Sequence, residues 1–60
     1  MYAVIKLSGK FYAKEMSGYF KNYEIDWING NLENGTPVIF VSEPEELEEL
    51  GLDSSNIELV

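Results

Sequence analysis

The stretch YAVIKLSGKFYAKEM, residues 2–16, decides how the rest of the chain can fold. Residues 2–7 are rich in apolar side chains that alternate in extended conformation, and they predict a β-strand. The sequence Ser-Gly-Lys at 8–10 is a turn signal. Residues 11–16 then return as the second arm of a hairpin. The chain therefore begins, on this interpretation, with two antiparallel strands.

The spacing of apolar residues predicts a register for this hairpin. A three-residue loop sets Leu7 opposite Phe11 and Ile5 opposite Ala13, which forms one continuous apolar face together with Ala3. The polar residues of the two arms share the opposite face, and they are Lys6, Tyr12 and Lys14.

A helix over about residues 10–22 is the competing interpretation. Apolar side chains there recur at helical spacing, at Tyr12, Met16, Tyr19, Phe20 and Tyr23. Such a helix would give the order βαββαβ, the ferredoxin-like arrangement. It would also place Gly18 in the helix interior, at a cost of about 1 kcal/mol relative to alanine. The hairpin is favoured, and the ferredoxin-like fold stays as the alternative.

Residues 23–28, YEIDWI, alternate apolar and acidic side chains. Tyr23, Ile25 and Trp27 would face the core of the protein while the acids between them face solvent. This pattern is typical of a half-buried strand.

Turn and strand signals follow in the next segment. The dipeptides Asn-Gly at 29–30 and 34–35 are strong turn formers, so residues 29–36 are predicted to be a loop. Pro37 fits the start of a strand. Residues 38–41, VIFV, are apolar on both faces and predict the central strand of the sheet.

A short helix is predicted over about residues 44–50. Ser42 and Glu45 have the spacing of a capping box at its start. Gly51 is placed to end it in a left-handed conformation, and Leu52 can then close over the last turn.

Residues 53–55 predict a turn and residues 56–60 a final strand. The fold class is therefore α+β: one domain, residues 1–60, with a mainly antiparallel sheet covered on one face by the helix at 44–50.

Charge and composition exclude several kinds of function. The net charge is −7, from eleven acids and four lysines, and arginine is absent. Phosphate groups are bound chiefly by Lys and Arg, so direct binding to nucleic acid or to an anionic membrane is disfavoured. The basic residues lie in residues 1–22, whereas residues 23–60 hold ten acids and no base.

No residue pattern supports catalysis or cofactor binding. The chain has no His and no Cys, so the usual general base, thiol nucleophile and thiolate metal ligands are lacking. We therefore expect no enzyme activity, no metal site and no cofactor. The absence of cysteine, of an apolar run of ~20 residues and of a signal-peptide pattern favours a cytoplasmic protein.

The glutamates of SEPEELEEL, residues 42–50, have two interpretations. As the solvated face of a short helix, they need no partner. However, Glu48 and Glu49 lie at the negative end of the helix dipole, where acids do not stabilise a helix. The second interpretation is an acidic surface that resembles a row of phosphates and binds a protein with a basic surface. The predicted partner-binding residues are Glu43, Glu45, Glu46, Glu48, Glu49, Asp53, Glu24 and Asp26.

Aromatic residues are more numerous than one face of so small a sheet needs. Aromatic side chains are enriched at the centres of protein interfaces. A short chain without disulfides is also often stabilised by a partner. We therefore expect a homodimer whose self-association surface includes Tyr12, Tyr19 and Phe20.

The segments MYAVIKLSGKFYAKEM, VIFVSEPEELEELGL and IELV together resemble small phage-type proteins of unknown function. The resemblance implies a phage or mobile-element protein that acts in the host cytoplasm, where short acidic proteins often inhibit host defence or DNA enzymes. The leading hypothesis is thus an inhibitor that occupies a nucleic-acid-binding site on a host protein. The alternative is a structural or assembly module that dimerises through aromatic residues.

Overall fold

The computed structural model describes residues 1–52 and 57–60. It has an α+β fold in the element order ββαβαβ. The elements are β1 (Tyr2–Leu7), β2 (Lys10–Glu15), α1 (Asn22–Glu33), β3 (Ile39–Val41), α2 (Glu46–Glu49) and β4 (Ile57–Leu59). The strands form one mixed sheet in the order β3-β1-β2-β4, in which β1 pairs antiparallel with β2 and β3, and β4 pairs parallel with β2.

The predicted hairpin is confirmed, but its register differs by one residue. Val4 pairs with Ala13, whereas Ile5 was expected there. The loop is Ser8-Gly9, two residues that both adopt positive φ, 51° and 76°. Two-residue loops of this kind match the right-handed twist of the strands. The alternative helix over residues 10–22 is wrong, because residues 10–15 are β2.

Both faces of the sheet are covered, each by a different helix. The face that α2 covers, here called the α2 face, has a core of Val4, Phe11, Ala13, Val41 and Leu47. The face that α1 covers, the α1 face, has a core of Ala3, Met16 and Ile28. The sequence predicted only the first of these two helical layers.

Helix α1 replaces the strand predicted over residues 23–28 and most of the loop predicted over 29–36. The side chains that it turns inward are Glu24, Trp27 and Ile28, which are spaced i, i+3 and i+4. Tyr23 and Ile25, which were expected in the core, are exposed. The alternation of apolar and acidic residues was misleading because one of the inward-facing residues is itself an acid.

Helix α1 ends in a glycine motif. Gly35 has φ 78°, its N–H donates to Leu32 O at 3.0 Å, and Thr36 N–H donates to Asn31 O at 2.9 Å. This is the Schellman arrangement, which satisfies the last carbonyls of a helix. The second Asn-Gly dipeptide therefore stops a helix, while the first one, at 29–30, lies within it.

Strand β3 lies at an edge of the sheet, so the prediction of a central strand over residues 38–41 is wrong. Its residues are apolar on both faces because both faces of the sheet are covered by helices. The final strand is confirmed over Ile57–Leu59 and forms the opposite edge. The turn predicted at 53–55, and Asn56 at the start of the predicted strand, lie outside the described residues.

Helix α2 is shorter than the predicted span of residues 44–50, and its start differs from the prediction. The proposed capping box is wrong: Ser42 N–H donates to the carboxylate of Glu46, at 3.3 Å, and Glu45 is the N-cap. Leu47 is fully buried, whereas Leu50 is exposed at the C-cap.

The predicted glycine cap of α2 is confirmed. Gly51 has φ 79° and its N–H donates to Glu48 O at 3.0 Å. Leu52 N–H donates to Leu47 O at 2.9 Å, and the Leu52 side chain packs against the same core cluster as Leu47. Both helices therefore end in the same motif.

Candidate functional site

Five glutamates lie on α2 and in the residues just before it, on the same side of the sheet as α2. We call this set the acidic patch. Its members are Glu43, Glu45, Glu46, Glu48 and Glu49. Glu46 is partly buried and the other four are exposed. The structure thus brings together five of the eight carboxylates that were predicted to bind a partner.

A single buried side chain anchors the acidic patch. Leu47 is fully buried against the α2 face of the sheet, in the core cluster of that face. The backbone around it is tightly turned, since Glu46 N–H donates to Glu43 O at 3.0 Å and Glu48 N–H donates to Glu45 O at 3.1 Å. With the only buried residue of α2 pointing inward, the glutamates project around the rest of the turn.

The acidic patch is not arranged for helix stability alone. Carboxylates near the start of a helix interact favourably with its dipole, and Glu43 and Glu45 satisfy this rule. Helix α2 is a single turn of four residues, Glu46–Glu49, so its first and last turns coincide and hold three acids and no basic residue. Like charges one helical turn apart cost on the order of 0.2–0.5 kcal/mol. The chain therefore maintains a concentration of negative charge that a purely structural helix would avoid.

Glu24 does not belong to the acidic patch. Its side chain is 2% exposed. Its carboxylate accepts three hydrogen bonds at 2.7 Å, from the N–H and hydroxyl of Ser17 and from the N–H of Lys21. The Ser17 hydroxyl, followed by the Lys21 and Ser17 amides, lowers the pKa of Glu24 to about 2. Glu24 is a structural carboxylate that ties the start of α1 to the segment after β2.

The remaining predicted partner-binding residues lie elsewhere. Asp26 is exposed on α1, which covers the opposite face of the sheet from α2. Asp53 lies outside the described residues. The acidic patch is therefore compact and does not join a second row of carboxylates from residues 24–26.

A groove adjoins the acidic patch at the β4 edge of the sheet. It has a volume of about 230 Å³ and is lined by Pro44, Glu45, Ile57 and Leu59. Leu59 is 64% exposed although it lies on the α2 face. No sequence pattern indicates this groove, because its two sides come from segments that only the order of the strands brings together.

The backbone of β4 leaves one side of the strand open. Val60 N–H donates to Ala13 O at 3.0 Å. Val60 and the residue two positions before it, Glu58, therefore direct their backbone N–H and C=O groups toward β2. In a parallel pair the alternate residues direct theirs away. The N–H and C=O groups of Ile57 and Leu59 therefore point outward from the sheet edge.

The lysine nearest to β4 in the sheet is already paired. Lys10 Nζ lies 3.0 Å from the carboxylate of Glu58, and the hydrogen bond from Lys10 to this carboxylate raises the pKa of the lysine. Glu58 has opposite parity to Ile57 and Leu59, so this ion pair lies on the α1 face. The ion pair and the acidic patch are therefore on opposite faces of the sheet.

The predicted self-association residues do not form a single cluster with one another. Tyr12 lies within β2 and is half-buried, with Lys10 Nζ 5.7 Å from its ring centroid. Tyr19 is 93% exposed. Phe20 stacks on Phe40, with ring centroids 5.8 Å apart. Phe40 was missed because a central strand would have buried it.

Two features are absent from the part of the chain that the structure describes. Within residues 1–52 and 57–60, no group of three or more acidic side chains is arranged to hold a metal ion. None of the helices in this part of the chain is long and apolar enough to span a membrane.

No protein-family model matches the chain, and no curated protein or solved structure shows a significant match to it.

Proposed function

We propose that this protein is a non-enzymatic interaction module that uses the acidic patch to bind a basic surface on another protein. The observation that carries the proposal is the concentration of five glutamates around one turn, held to the sheet by the buried Leu47. Residues 43–52 contain no basic side chain. A partner with Lys or Arg residues would place positive charges opposite these carboxylates.

The partner surface that best suits this arrangement is one that binds nucleic acid. Duplex DNA carries one negative charge per ~1.7 Å of its axis, and carboxylates one helical turn apart are ~6 Å from each other. The acidic patch is the length of one turn, so it would replace a short stretch of phosphates. An inhibitor of this type, acting in the cytoplasm of a host cell, is the specific form of the proposal.

A second candidate function is supported by the aromatic residues. Phe20 and Phe40 stack on each other, yet they are 41% and 45% exposed. Tyr19 precedes Phe20 and is almost fully exposed. A homodimer or assembly that covers these rings would remove apolar area from water without using the acidic patch. On this alternative, the negative charge only keeps the protein soluble.

The test of the proposal is affinity capture from a lysate of the organism that encodes the chain. The wild-type protein is compared with a variant in which Glu45, Glu46, Glu48 and Glu49 are replaced by glutamine. The matched control is Glu15→Gln, Asp26→Asn and Glu33→Gln, which removes exposed acids outside the acidic patch. Thermal unfolding of each variant establishes that the fold is intact.

We expect the wild type and the control to retain a specific partner and the acidic-patch variant to lose it. Duplex DNA added to the wild-type complex should release the partner. Raising the salt concentration should also release it, because contacts between exposed charges are screened. Capture of the same partner by the acidic-patch variant contradicts the proposal. If salt releases the partner and duplex DNA does not, the partner still has a basic surface, but the acidic patch does not act as a mimic of nucleic acid.

A further inference from the structure

We infer that the open edge of β4 accepts an extended segment of the partner, in which an apolar and a basic residue two positions apart lie on the same face, as an additional strand of the sheet. This inference rests on the proposed function and states the chemistry of the segment that reaches the acidic patch. It uses two features that the acidic patch alone does not explain, the open backbone of β4 and the groove beside it.

The backbone of β4 provides the hydrogen-bonding groups for strand addition. Ile57 and Leu59 direct their N–H and C=O groups away from β2. An extended peptide that lies beside β4 can pair with these groups, as in other complexes formed by β-augmentation. Main-chain pairing of this kind supplies affinity, and the pockets for alternate side chains supply specificity.

Among residues 1–52 and 57–60, the β4 edge has none of the features that normally prevent strand addition. Exposed edges are usually protected by lysine, proline, a bulge or a covering element. Strand β4 has the sequence Ile-Glu-Leu, and its one charged side chain, Glu58, lies on the α1 face with Lys10. On the α2 face the edge presents Ile57 and Leu59, the second of which is largely exposed. The edge is thus open on the side of the acidic patch.

The groove is the right size for a side chain of the added strand. Its volume of about 230 Å³ is smaller than the cavities of ~300–1,000 Å³ that hold drug-sized ligands. Pro44, Ile57 and Leu59 give it apolar walls. An apolar residue of a strand that pairs with β4 would project into this groove, because side chains on paired strands lie on the same face when they are opposite each other.

Charge identifies the other residues of the segment. Glu45 forms part of the groove wall and belongs to the acidic patch. Successive side chains of a strand point to opposite faces, so a basic residue two positions from the apolar one shares its face and would meet this carboxylate on the α2 face. A second copy of this chain is the less suitable occupant, because it would bring a net charge of −7 to a surface that is already acidic.

The first experiment uses a synthetic peptide as the probe. The peptide is Thr-Val-Thr-Lys-Thr-Val with blocked termini, since about six residues is a common strand length. Its two valines and its lysine share one face. Amide hydrogen exchange of the isotope-labelled protein is followed by NMR with and without saturating peptide. We expect exchange at Ile57 and Leu59 to slow by roughly tenfold or more, since the peptide must leave before these amides open. Glu58 and Val60, whose amides face β2, are the internal controls.

Blocked peptides test the main-chain contact without changing the protein. One peptide is N-methylated at its threonines and the other at its valines and lysine, so that each pattern covers alternate positions. Alternate residues of a strand direct their N–H groups to opposite sides. Only one of the two methylated peptides therefore loses the N–H groups that hydrogen-bond to β4. We expect their dissociation constants to differ by tenfold or more, although the two peptides carry the same charge and side chains.

A variant of the protein gives the reciprocal test. Leu59→Pro removes the outward N–H and places the proline ring at the edge, where proline is tolerated. Leu59→Val keeps both the N–H and an apolar side chain, and is the control. With thermal unfolding unchanged, Leu59→Pro should lose the peptide and Leu59→Val should retain it.

The results separate this inference from the proposed function. Equal affinity for the two methylated peptides, or unchanged exchange at Ile57 and Leu59, overturns strand addition. A peptide that does not bind also overturns it. In each of these cases the capture experiment with the acidic-patch variant still decides the proposed function, because that experiment does not involve β4.

Discussion

The carboxylate of Glu24 accepts hydrogen bonds from both the backbone N–H and the hydroxyl of Ser17, each at 2.7 Å. Ser17 lies in the segment between β2 and α1, and Glu24 lies in the first turn of α1. A third bond, from Lys21 N–H, closes the start of the helix. A carboxylate is also favoured there by the helix dipole. This contact fixes where the helix begins relative to the hairpin.

Replacing Glu24 by glutamine should destabilise the protein more than replacing any glutamate of the acidic patch. Glutamine presents one acceptor and one donor group to a site that holds three donors, so at least one buried donor loses its partner. The measurement is the thermal unfolding midpoint, which should fall by several degrees. Asp26→Asn, an exposed change on the same helix, is the control and should leave the midpoint nearly unchanged.

The stability of the protein should depend on the ionisation of Glu24. Its pKa is about 2 in the folded protein, below the ordinary value of 4.5. A lowered pKa means that the unfolded chain binds the proton more readily. The contribution is therefore fully present above about pH 4.5 and is lost as the pH falls toward about 2. Urea unfolding between pH 2 and 6 should show this loss in the wild type, and a weaker dependence in Glu24→Gln.

Leu47→Ala should remove the anchor of the acidic patch. Truncating a buried leucine costs about 2–5 kcal/mol, whereas a chain of this length has a total stability of about 3–9 kcal/mol. We expect a large loss of stability in urea denaturation. Leu50→Ala, in the same segment but exposed, should change stability by less than about 0.5 kcal/mol. Equal effects of the two changes would show that α2 does not pack as the structure has it.

One glycine lies within α1 and another follows its end, and replacing each by alanine should change the stability of the protein in opposite directions. Gly35 has φ 78° at the end of the helix, so Gly35→Ala forces a left-handed conformation and should cost about 1–2 kcal/mol. Gly30 lies within the helix, and a methyl group there would meet no atom within 4 Å. Gly30→Ala should therefore stabilise the protein by about 0.5–1 kcal/mol. Chemical denaturation of both variants measures whether the free energy of unfolding falls for Gly35→Ala and rises for Gly30→Ala.

The aromatic surface predicts the oligomeric state. If Phe20 and Phe40 lie in a homodimer interface, sedimentation equilibrium at micromolar concentration should show a dimer of the 6.8 kDa chain. The double variant Phe20→Ala, Phe40→Ala should then be monomeric. Added salt should not dissociate the wild type, because the contact is apolar. A wild-type protein that sediments only as a monomer contradicts this prediction. The control is Leu32→Ala, which removes an exposed apolar side chain of α1 that is not part of the stacked pair of rings.

Several features followed from the sequence because their signals are local. The hairpin over residues 2–16 depends on a turn whose residues accept positive φ. The end of α2 depends on Gly51, which adopts the left-handed conformation that other residues avoid. The density of glutamates in the acidic patch is a property of residues 43–49 themselves. Each of these signals depends on the conformational preferences of a few adjacent residues.

Tertiary packing decided the features that the sequence did not reveal. Residues 22–33 are helical because Glu24, Trp27 and Ile28 lie on one side, where the carboxylate of Glu24 finds three donors and Ile28 contacts Ala3 and Met16. No local pattern marks a glutamate as buried, because its burial depends on donors from another segment. The helix-breaking dipeptide Asn29-Gly30 within α1 is likewise overridden by packing.

The order of the strands was also decided by the tertiary structure. An apolar strand that is covered on both faces has the same sequence pattern at the centre of a sheet as at its edge, so VIFV did not distinguish the two. The position of β4 beside β2 creates the open edge and brings Ile57 and Leu59 to Pro44 and Glu45. The sequence by itself determined the charge of the surface. The groove and the open edge beside that charge depend on strand pairing, which joins residues far apart in the chain.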